Sequence, residues 1–270
     1  MANVNLTQGG VHVPFKNIFT TVSGVHRKVT DMYTTVSGVH RKISLSSYNP
    51  VLENNTWEQI AEASESGVAS TIWQIGDTKD VILDTGEILT FQIYDFDHDN
   101  LSNGTGTAGI TFGMRHLMAT QKALYKSNSI SYNDFFRGDL HTWLVGAFKS
   151  SLPVDLQSVL KTVLKWNSTG GTGSTLCEFE TDIFLPSEIE CTGTNSLSAS
   201  GEGFQYPVFS AEENRVKKLS NGSGKENHWW TRSRRWDGIT VLSTFICMNG
   251  TTVSARQTNL LGGVCPAFCI

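Results

Sequence analysis

A nine-residue segment, TTVSGVHRK, occurs at residues 20–28 and again at residues 34–42. The similarity extends upstream, because Phe19 matches Tyr33, and a Gly-Val-His at residues 10–12 marks a weaker third copy. In each unit an aromatic and a β-branched residue precede Ser-Gly, and an Arg-Lys pair follows. This pattern predicts a strand, a tight turn at Ser-Gly and a second strand.

A single hairpin of this size buries too little surface to be stable alone. Repeats of this kind gain a core by stacking on neighbouring repeats or on other copies of the chain. We therefore predict a docking and oligomerisation segment at residues 1–45, a linker and helix at 46–70, and the main domain at 71–270. Three repeat histidines could share a metal ion, but exposed side chains are the favoured interpretation: His12, His26 and His40.

The rest of the chain has the texture of strands and turns. Charged residues make up only 17% of the 270 residues, and 25 glycines separate short apolar runs. A net charge of −4 supplies no basic field, so a nucleic-acid partner is not expected. Since no apolar run reaches about 18 residues, membrane insertion is not expected either. The five cysteines form no CxxC pair and are interpreted as reduced, buried thiols rather than zinc ligands.

Local patterns predict the main secondary-structure elements. Asn55 and Glu58 fit a capping box for a helix that Gly67 ends. Helical spacing continues at 113–125, around 136–147 and at 153–166. Strands are predicted at 70–77, 80–84, 87–96, 228–233, 239–248, 251–256 and 263–270. Strands and helices followed by a cluster of short strands indicate an α+β fold rather than alternating βαβ units.

Six motifs occur in order along the main domain: AGITF, FLPSEIE, GEGFQY, NRVKK, WWTRS and GVCPAFCI. Together they resemble the C-type-lectin-like domains of phage and gut-bacterial proteins. Those domains are related to the formylglycine-generating-enzyme fold, to proteins varied by diversity-generating retroelements and to phage tropism determinants. The resemblance covers about residues 70–270. Where that family usually has proline after the WWTRS motif, this chain has Arg234.

The resemblance implies a compact domain whose final strands present a ligand-binding surface. The residues favour the same place, because one alternating face of 239–248 would be displayed if the other packs inward. A charged turn with a tryptophan and a later polar cluster offer the residue types that dominate binding hot spots. The candidate ligand-binding residues are Arg234, Arg235, Trp236, Asp237, Thr240, Leu242, Thr244, Arg256, Gln257 and Asn259.

The sequence offers little sign of catalysis, and no enzyme activity and no cofactor are expected. The active-site cysteine pair of the formylglycine-generating relatives cannot be matched to Cys247, Cys265 or Cys269. The acidic turn DFDHDN at 95–100 could hold Ca²⁺, but local turn capping is the favoured interpretation. Acidic residues between 178 and 190 could include a glycosidase pair, although dispersed, solvated charge is the commoner outcome.

These features predict a phage virion protein, in the tail or at a fibre tip, that binds a host-surface ligand noncovalently. The expected partners are a host cell-surface protein or glycan and, through residues 1–45, other virion proteins. A homo-oligomer is expected, with a trimer favoured, in virions assembled in the bacterial cytoplasm. The alternatives are a structural decoration protein that binds only its virion neighbours and, less favoured, an enzyme acting on polysaccharide.

Overall fold

The computed structural model describes residues 48–126, 135–169, 175–236, 241–246 and 248–270, and the backbone of four short strands between residues 19 and 44. The side chains of those four strands, of Trp236 and of Val241 are outside this description. The chain divides into two compact units, Met1–Pro50 and Val51–Ile270. The predicted domain borders stay predictions, although the first helix, assigned to the linker from the sequence, lies in the larger unit.

Strands and short helices alternate irregularly along the chain. The strands are β1 (Phe19–Val22), β2 (Val25–Lys28), β3 (Asp31–Val36), β4 (Val39–Ser44), β5 (Thr78–Ile82), β6 (Ile88–Phe96), β7 (Ile110–Met114), β8 (Val163–Ser168), β9 (Leu176–Thr181), β10 (Ile183–Phe184), β11 (Lys217–Lys218), β12 (Glu226–Asn227), β13 (Trp229–Trp236), β14 (Val241–Ile246), β15 (Val253–Gln257) and β16 (Ala267–Cys269). The helices are α1 (Trp57–Glu65), α2 (Ala69–Ile72), α3 (Asp139–Trp143), α4 (Lys149–Ser151), α5 (Val154–Val159) and α6 (Glu188–Thr192). A π-helical turn, Leu144–Phe148, joins α3 to α4, and four 3₁₀ turns lie at Leu52–Asn54, Phe135–Arg137, Pro207–Phe209 and Glu212–Arg215. The larger unit is therefore α+β, as the sequence predicts.

The two sequence repeats form two antiparallel strand pairs with the same register. β1 pairs with β2 so that Val22 faces Val25, and β3 pairs with β4 so that Val36 faces Val39. The predicted strands of both copies are thus confirmed. The Ser-Gly turns between them and the third copy at 10–12 lie outside the described residues.

The core of the larger unit is a five-stranded antiparallel sheet with the order β10–β16–β7–β6–β5. The carboxyl-terminal strand β16 lies inside this sheet, where Phe268 packs 4.9 Å from the ring of Phe91 and 5.6 Å from that of Phe112. Helix α1 covers this cluster with Trp57, whose ring is 5.5 Å from Phe112. The end of the chain is fixed as well, because Ser64 donates a 2.6 Å hydrogen bond to the carbonyl of Ile270.

A separate three-stranded antiparallel sheet, β13–β14–β15, carries the predicted binding strands. A bulge interrupts the pairing of β13 between Trp230 and Arg234. Trp229 and Trp230 are fully buried, so the WW pair belongs to the core.

Three sequence predictions of secondary structure are wrong. Residues 113–125 are not a helix, because beyond β7 their backbone bonds to distant segments, including bonds from Met118 to Val264 and from Lys122 to Gly262. Residues 70–77 contain the end of α2 (Ala69–Ile72) and a turn rather than a strand. The capping box of α1 is formed by Thr56 and Gln59, one position later than predicted. Residues 153–166 are half right, since α5 ends at Val159 and β8 follows.

Candidate functional site

Three of the predicted binding residues lie in a row across the small sheet. Arg235 on β13 pairs with Leu242 on β14, which pairs with Gln257 on β15. Directly paired residues of antiparallel strands project from the same face of a sheet. Arg235 and Leu242 are half-buried and Gln257 is exposed. This cross-strand row therefore offers a guanidinium, an apolar side chain and an amide side by side.

Arg256 belongs to the other face, because it pairs with Ser243, one position along. Its Nη1 lies 2.6 Å from Nε2 of His228, and its guanidinium lies 5.6 Å from the ring centre of Phe245. Burial and the neighbouring Arg256 lower the pKa of His228, which favours a neutral ring that accepts the hydrogen bond. Arg256 is thus held in place and is half-buried.

The prediction of an exposed contact residue is wrong for two candidates. Arg234 is 1% exposed, and its guanidinium stacks 4.9 Å from the ring centre of Tyr125. Thr244 is fully buried, and its hydroxyl bonds to that of Thr231. The expected display of one face of β14 fails there because residues 243–246 are buried on both faces of the strand.

The remaining candidates divide between exposed and undescribed positions. Asn259 is exposed, and Trp236 lies at the end of β13 with its side chain undescribed. Asp237 and Thr240 lie outside the described residues. Of the ten candidates, the structure therefore groups Arg235, Leu242 and Gln257 in one row.

A buried polar cluster lies at the centre of the larger unit. Lys165 on β8 is 2% exposed. Its Nζ donates hydrogen bonds of 2.5 Å to Asp99, 2.8 Å to Glu190 and 3.0 Å to the hydroxyl of Tyr206, and it lies 4.1 Å from the ring centre of Phe184. All three ammonium donors are therefore used.

Arg232 on β13 joins the same cluster from another direction. Its two Nη atoms bind both oxygens of Glu190 at 2.5 and 2.8 Å. The remaining N–H groups donate to the carbonyls of Trp166, Leu185 and Glu202. All five guanidinium donors are satisfied, a geometry that only arginine provides.

The charges of the cluster hold its carboxylates in defined states. Burial by itself would raise the pKa of Asp99, but the charge and hydrogen bond of Lys165 outweigh it, so that pKa lies well below its usual range. In the same way, Arg232 and Lys165 overcome burial and lower the pKa of Glu190. Burial raises the pKa of Glu202, although Arg232 and hydrogen bonds from Ser233 and Ser168 oppose the shift.

A cleft of about 370 Å³ opens above this cluster. Its polar lining includes His98, Asn100 and Glu202, and its apolar lining includes Trp166 and Phe204. Phe204 is 78% exposed and lies at the rim.

Residues 111–270 match a family described as a domain of unknown function, DUF6273. The chain belongs to this family. No curated protein and no solved structure matches the chain. The DUF6273 segment contains the whole cross-strand row and, apart from Asp99, the charged members of the buried cluster.

Most of the six motifs in the main domain supply this cluster and its surroundings rather than an exposed surface. FLPSEIE supplies Glu190, GEGFQY supplies Glu202 and Tyr206, and WWTRS supplies Arg232. AGITF supplies Thr111, whose hydroxyl donates a 2.6 Å bond to Asp99. The expectation that the acidic residues between 178 and 190 are solvated is wrong for two of them, because Glu188 and Glu190 are buried.

Local sequence patterns do not predict the buried polar cluster, because its members come from distant segments of the chain. One signal was available: Lys165 lies between Leu164 and Trp166 in a short apolar run, where a solvated charge is unusual.

The thiols and the acidic turn offer no site of their own among the described residues. Cys191, Cys265 and Cys269 are free and buried, and burial raises the pKa values of Cys191 and Cys269. Asp99 of the acidic turn accepts a hydrogen bond from the ammonium of Lys165. Across the described ranges no group of three or more His, Cys, Asp or Glu side chains is placed to hold a metal ion. Within the same ranges, none of the helices has the length and apolar character needed to cross a membrane.

Proposed function

We propose that the chain is a receptor-binding protein of a phage virion, in the tail or at a fibre tip, and that it recognises a host-surface protein or glycan noncovalently. The larger unit is proposed to be a C-type-lectin-like domain, on the strength of the six ordered motifs and of an α+β fold in which strands β13, β14 and β15 form a sheet of their own. The cross-strand row is proposed as the centre of the contact surface.

The observation that supports this proposal most strongly is the accessible row on a rigid base. Arg235, Leu242 and Gln257 combine a fixed fork of donors, apolar area and an amide, which together suit a protein or a glycan surface. The strand that carries Arg235 also carries Arg232, whose guanidinium is fully bonded within the buried cluster. A surface held in one conformation loses little entropy when it binds.

The noncovalent mechanism is supported by the state of the reactive groups. A buried thiol with a raised pKa is a poor nucleophile. The Lys165, Glu190 and Arg232 side chains are already paired with one another, so they hold the strands together instead of offering an acid or a base to a substrate.

The amino-terminal repeat is proposed to dock the chain to other virion proteins and to sister chains. Two strand pairs with the same register suit stacking against further copies. Several binding domains on one particle would then gain avidity without any new contact.

Host adsorption tests the binding role. Particles carrying Arg235→Ala together with Gln257→Ala should adsorb to host cells at least about tenfold more slowly, since an arginine hot spot contributes about 2 kcal/mol or more. The matched control is Arg115→Ala with Gln74→Ala, which changes an exposed arginine and an exposed glutamine elsewhere. Equal adsorption of the two double variants would contradict the proposal.

The same particles separate the rival functions. A decoration protein would keep adsorption unchanged in the row variant and lose incorporation or particle stability instead. An enzyme acting on polysaccharide would release sugar from host envelopes. Deletion of residues 1–45 should abolish incorporation while the remaining chain stays folded, and retained incorporation would refute the docking role.

A further inference from the structure

His98 is held in the cleft wall by one ring nitrogen, while the other remains unpaired. Its Nδ1 lies 2.7 Å from Oδ2 of Asp95, and the His98 side chain is 10% exposed. Nε2 has no hydrogen-bond partner among the residues that the structure describes. A buried polar atom without a partner is costly, so this nitrogen marks a place where a ligand can contribute a hydrogen bond.

The bond to Asp95 sets the role of the free nitrogen. A carboxylate can only accept, so in the neutral ring Nδ1 carries the hydrogen and Nε2 presents a lone pair. The missing partner is therefore a hydrogen-bond donor, such as an N–H or an O–H group.

The charges around the cleft distinguish between donors. Asp99, Glu190 and Glu202 line it, and Asp95 lies behind His98, against only two cations, Lys165 and Arg232. Both cations are already paired with Asp99 and Glu190. The surplus of carboxylates disfavours an anion and favours a positively charged donor.

The rim of the cleft supplies an exposed aromatic side chain, Phe204. The His98 ring stacks on Tyr206, with 4.3 Å between centroids, and the Phe204 ring lies edge-on to His98 at 6.5 Å. Nε2 has almost no accessible surface in this arrangement. Because Phe204 is 78% exposed, few packing contacts oppose a rotation of its side chain that would widen the approach to His98. A cation beside Phe204 would gain a cation–π contact.

We propose that this cleft binds a protonated primary amine, carried by a small molecule or by a lysine side chain. The ammonium donates to Nε2 of His98, the surrounding carboxylates balance its charge, and Phe204 packs against its alkyl stem. This site goes beyond the proposed receptor surface, since no residue of the cross-strand row is among its lining residues. Either proposal can fail without the other.

Calorimetric titration of the full chain with four probes tests the ligand chemistry. Nα-acetyl-lysine methylamide should bind saturably. The Nε-acetylated form, which lacks the charge, and the Nε-trimethylated form, which lacks the N–H, should each bind roughly tenfold more weakly or worse. Butylamine binding as tightly as the lysine derivative indicates a free amine as the ligand, whereas a preference for the derivative indicates a lysine side chain. Equal binding of the trimethylated form, or no saturable amine binding at millimolar concentration, would overturn the proposal.

Variants locate the binding to His98. His98→Phe keeps an aromatic ring on Tyr206 but removes the acceptor, and a loss of roughly tenfold in affinity is expected. Asp95→Asn should also weaken binding, because an amide can donate to Nδ1 and turn Nε2 into a donor. Asp97→Asn is its matched control, because it removes the same charge from an exposed residue two positions away. Asp97 has a left-handed backbone conformation, which asparagine tolerates.

Melting temperatures of all variants report whether each is folded. If His98→Phe does not fold, the comparison of Asp95→Asn with Asp97→Asn decides the question. Equal affinities in that pair would refute the role of His98.

Discussion

Substitution of Lys165 by methionine should strongly destabilise the larger unit. Methionine fits the volume of the lysine stem but removes the ammonium that Asp99, Glu190 and Tyr206 share. Glu190 keeps its bidentate bond to Arg232. Asp99 keeps only neutral partners, the hydroxyls of Thr111 and Tyr206 and the thiol of Cys269. Removing one partner of a buried ion pair costs about 3–5 kcal/mol, because the other charge is left without compensation.

The loss should depend on pH in a defined direction. The folded-state pKa of Asp99 is lowered, so its contribution to stability is full above its unfolded pKa of about 3.9 and is lost as the pH falls through the folded value. Glu190 has a lowered pKa as well and acts in the same direction. The variant lacks most of the Asp99 contribution. The difference in unfolding free energy between the two proteins should therefore keep its largest value from neutral pH down to about pH 5 and shrink as the pH falls below the unfolded pKa of about 3.9.

Urea unfolding followed by tryptophan fluorescence measures this difference. All seven tryptophans lie after residue 50, so the signal reports only on the larger unit. Lys161→Met is the matched control, because Lys161 forms a pair with Glu65 at the surface, with 34% and 62% of the side chains exposed. An exposed pair is worth up to about 1 kcal/mol.

Two results would refute the reasoning. One is a loss at pH 7 no larger than that of Lys161→Met. The other is a loss that stays constant as the pH falls from 7 to about 2.5, well below the unfolded pKa of Asp99, since the effect would then not arise from the ionised carboxylates.

Two further predictions concern backbone positions and are measured by the same urea titration. Gly113→Ala should reduce the free energy of unfolding by about 3 kcal/mol or more, because a Cβ at this position would overlap the ring of buried Tyr94. Gly146→Ala in the π-helical turn meets open space and should be neutral or stabilising by up to about 1 kcal/mol. Similar effects of the two changes would contradict this prediction. Ser187→Ala should reduce the free energy of unfolding by about 1–2 kcal/mol, because it removes the hydroxyl that accepts a hydrogen bond from the backbone N–H of Glu190. This loss should exceed that of Thr56→Ala at the exposed cap of α1, because Ser187 is fully buried. An equal or smaller loss for Ser187→Ala would show that burial of this cap adds nothing.

Much of the local structure was predictable because it depends on neighbouring residues. The aromatic and β-branched residues around Ser-Gly in the repeat, and the alternation of apolar residues in 87–96, specify strands whatever they pack against. Helix α1 was predictable because its apolar spacing and a capping signal lie within ten residues. The cap itself is formed by Thr56 and Gln59, one position after the predicted pair of Asn55 and Glu58. The α+β class follows from the order of these local signals.

The candidate site was predictable only in part. Sequence patterns pointed to the final strands, and Arg235, Leu242 and Gln257 were among the candidates. Alternation along a strand, however, assumes that one face meets solvent. Arg234 and Thr244 are buried because other parts of the larger unit cover both faces of the sheet at these positions, and no local pattern reports that.

The sequence by itself determined most of the strands and helix α1, the equivalence of the two repeats and the residue types available in the sheet of β13, β14 and β15. Only the tertiary structure decided that Asp99, Lys165, Glu190 and Arg232, from four distant segments, meet in one buried cluster, and that His98 keeps an unpaired nitrogen beside it. The physical reason is that hydrogen-bond and apolar periodicity act between near neighbours, whereas burial and the pairing of charges depend on which segments fold against each other.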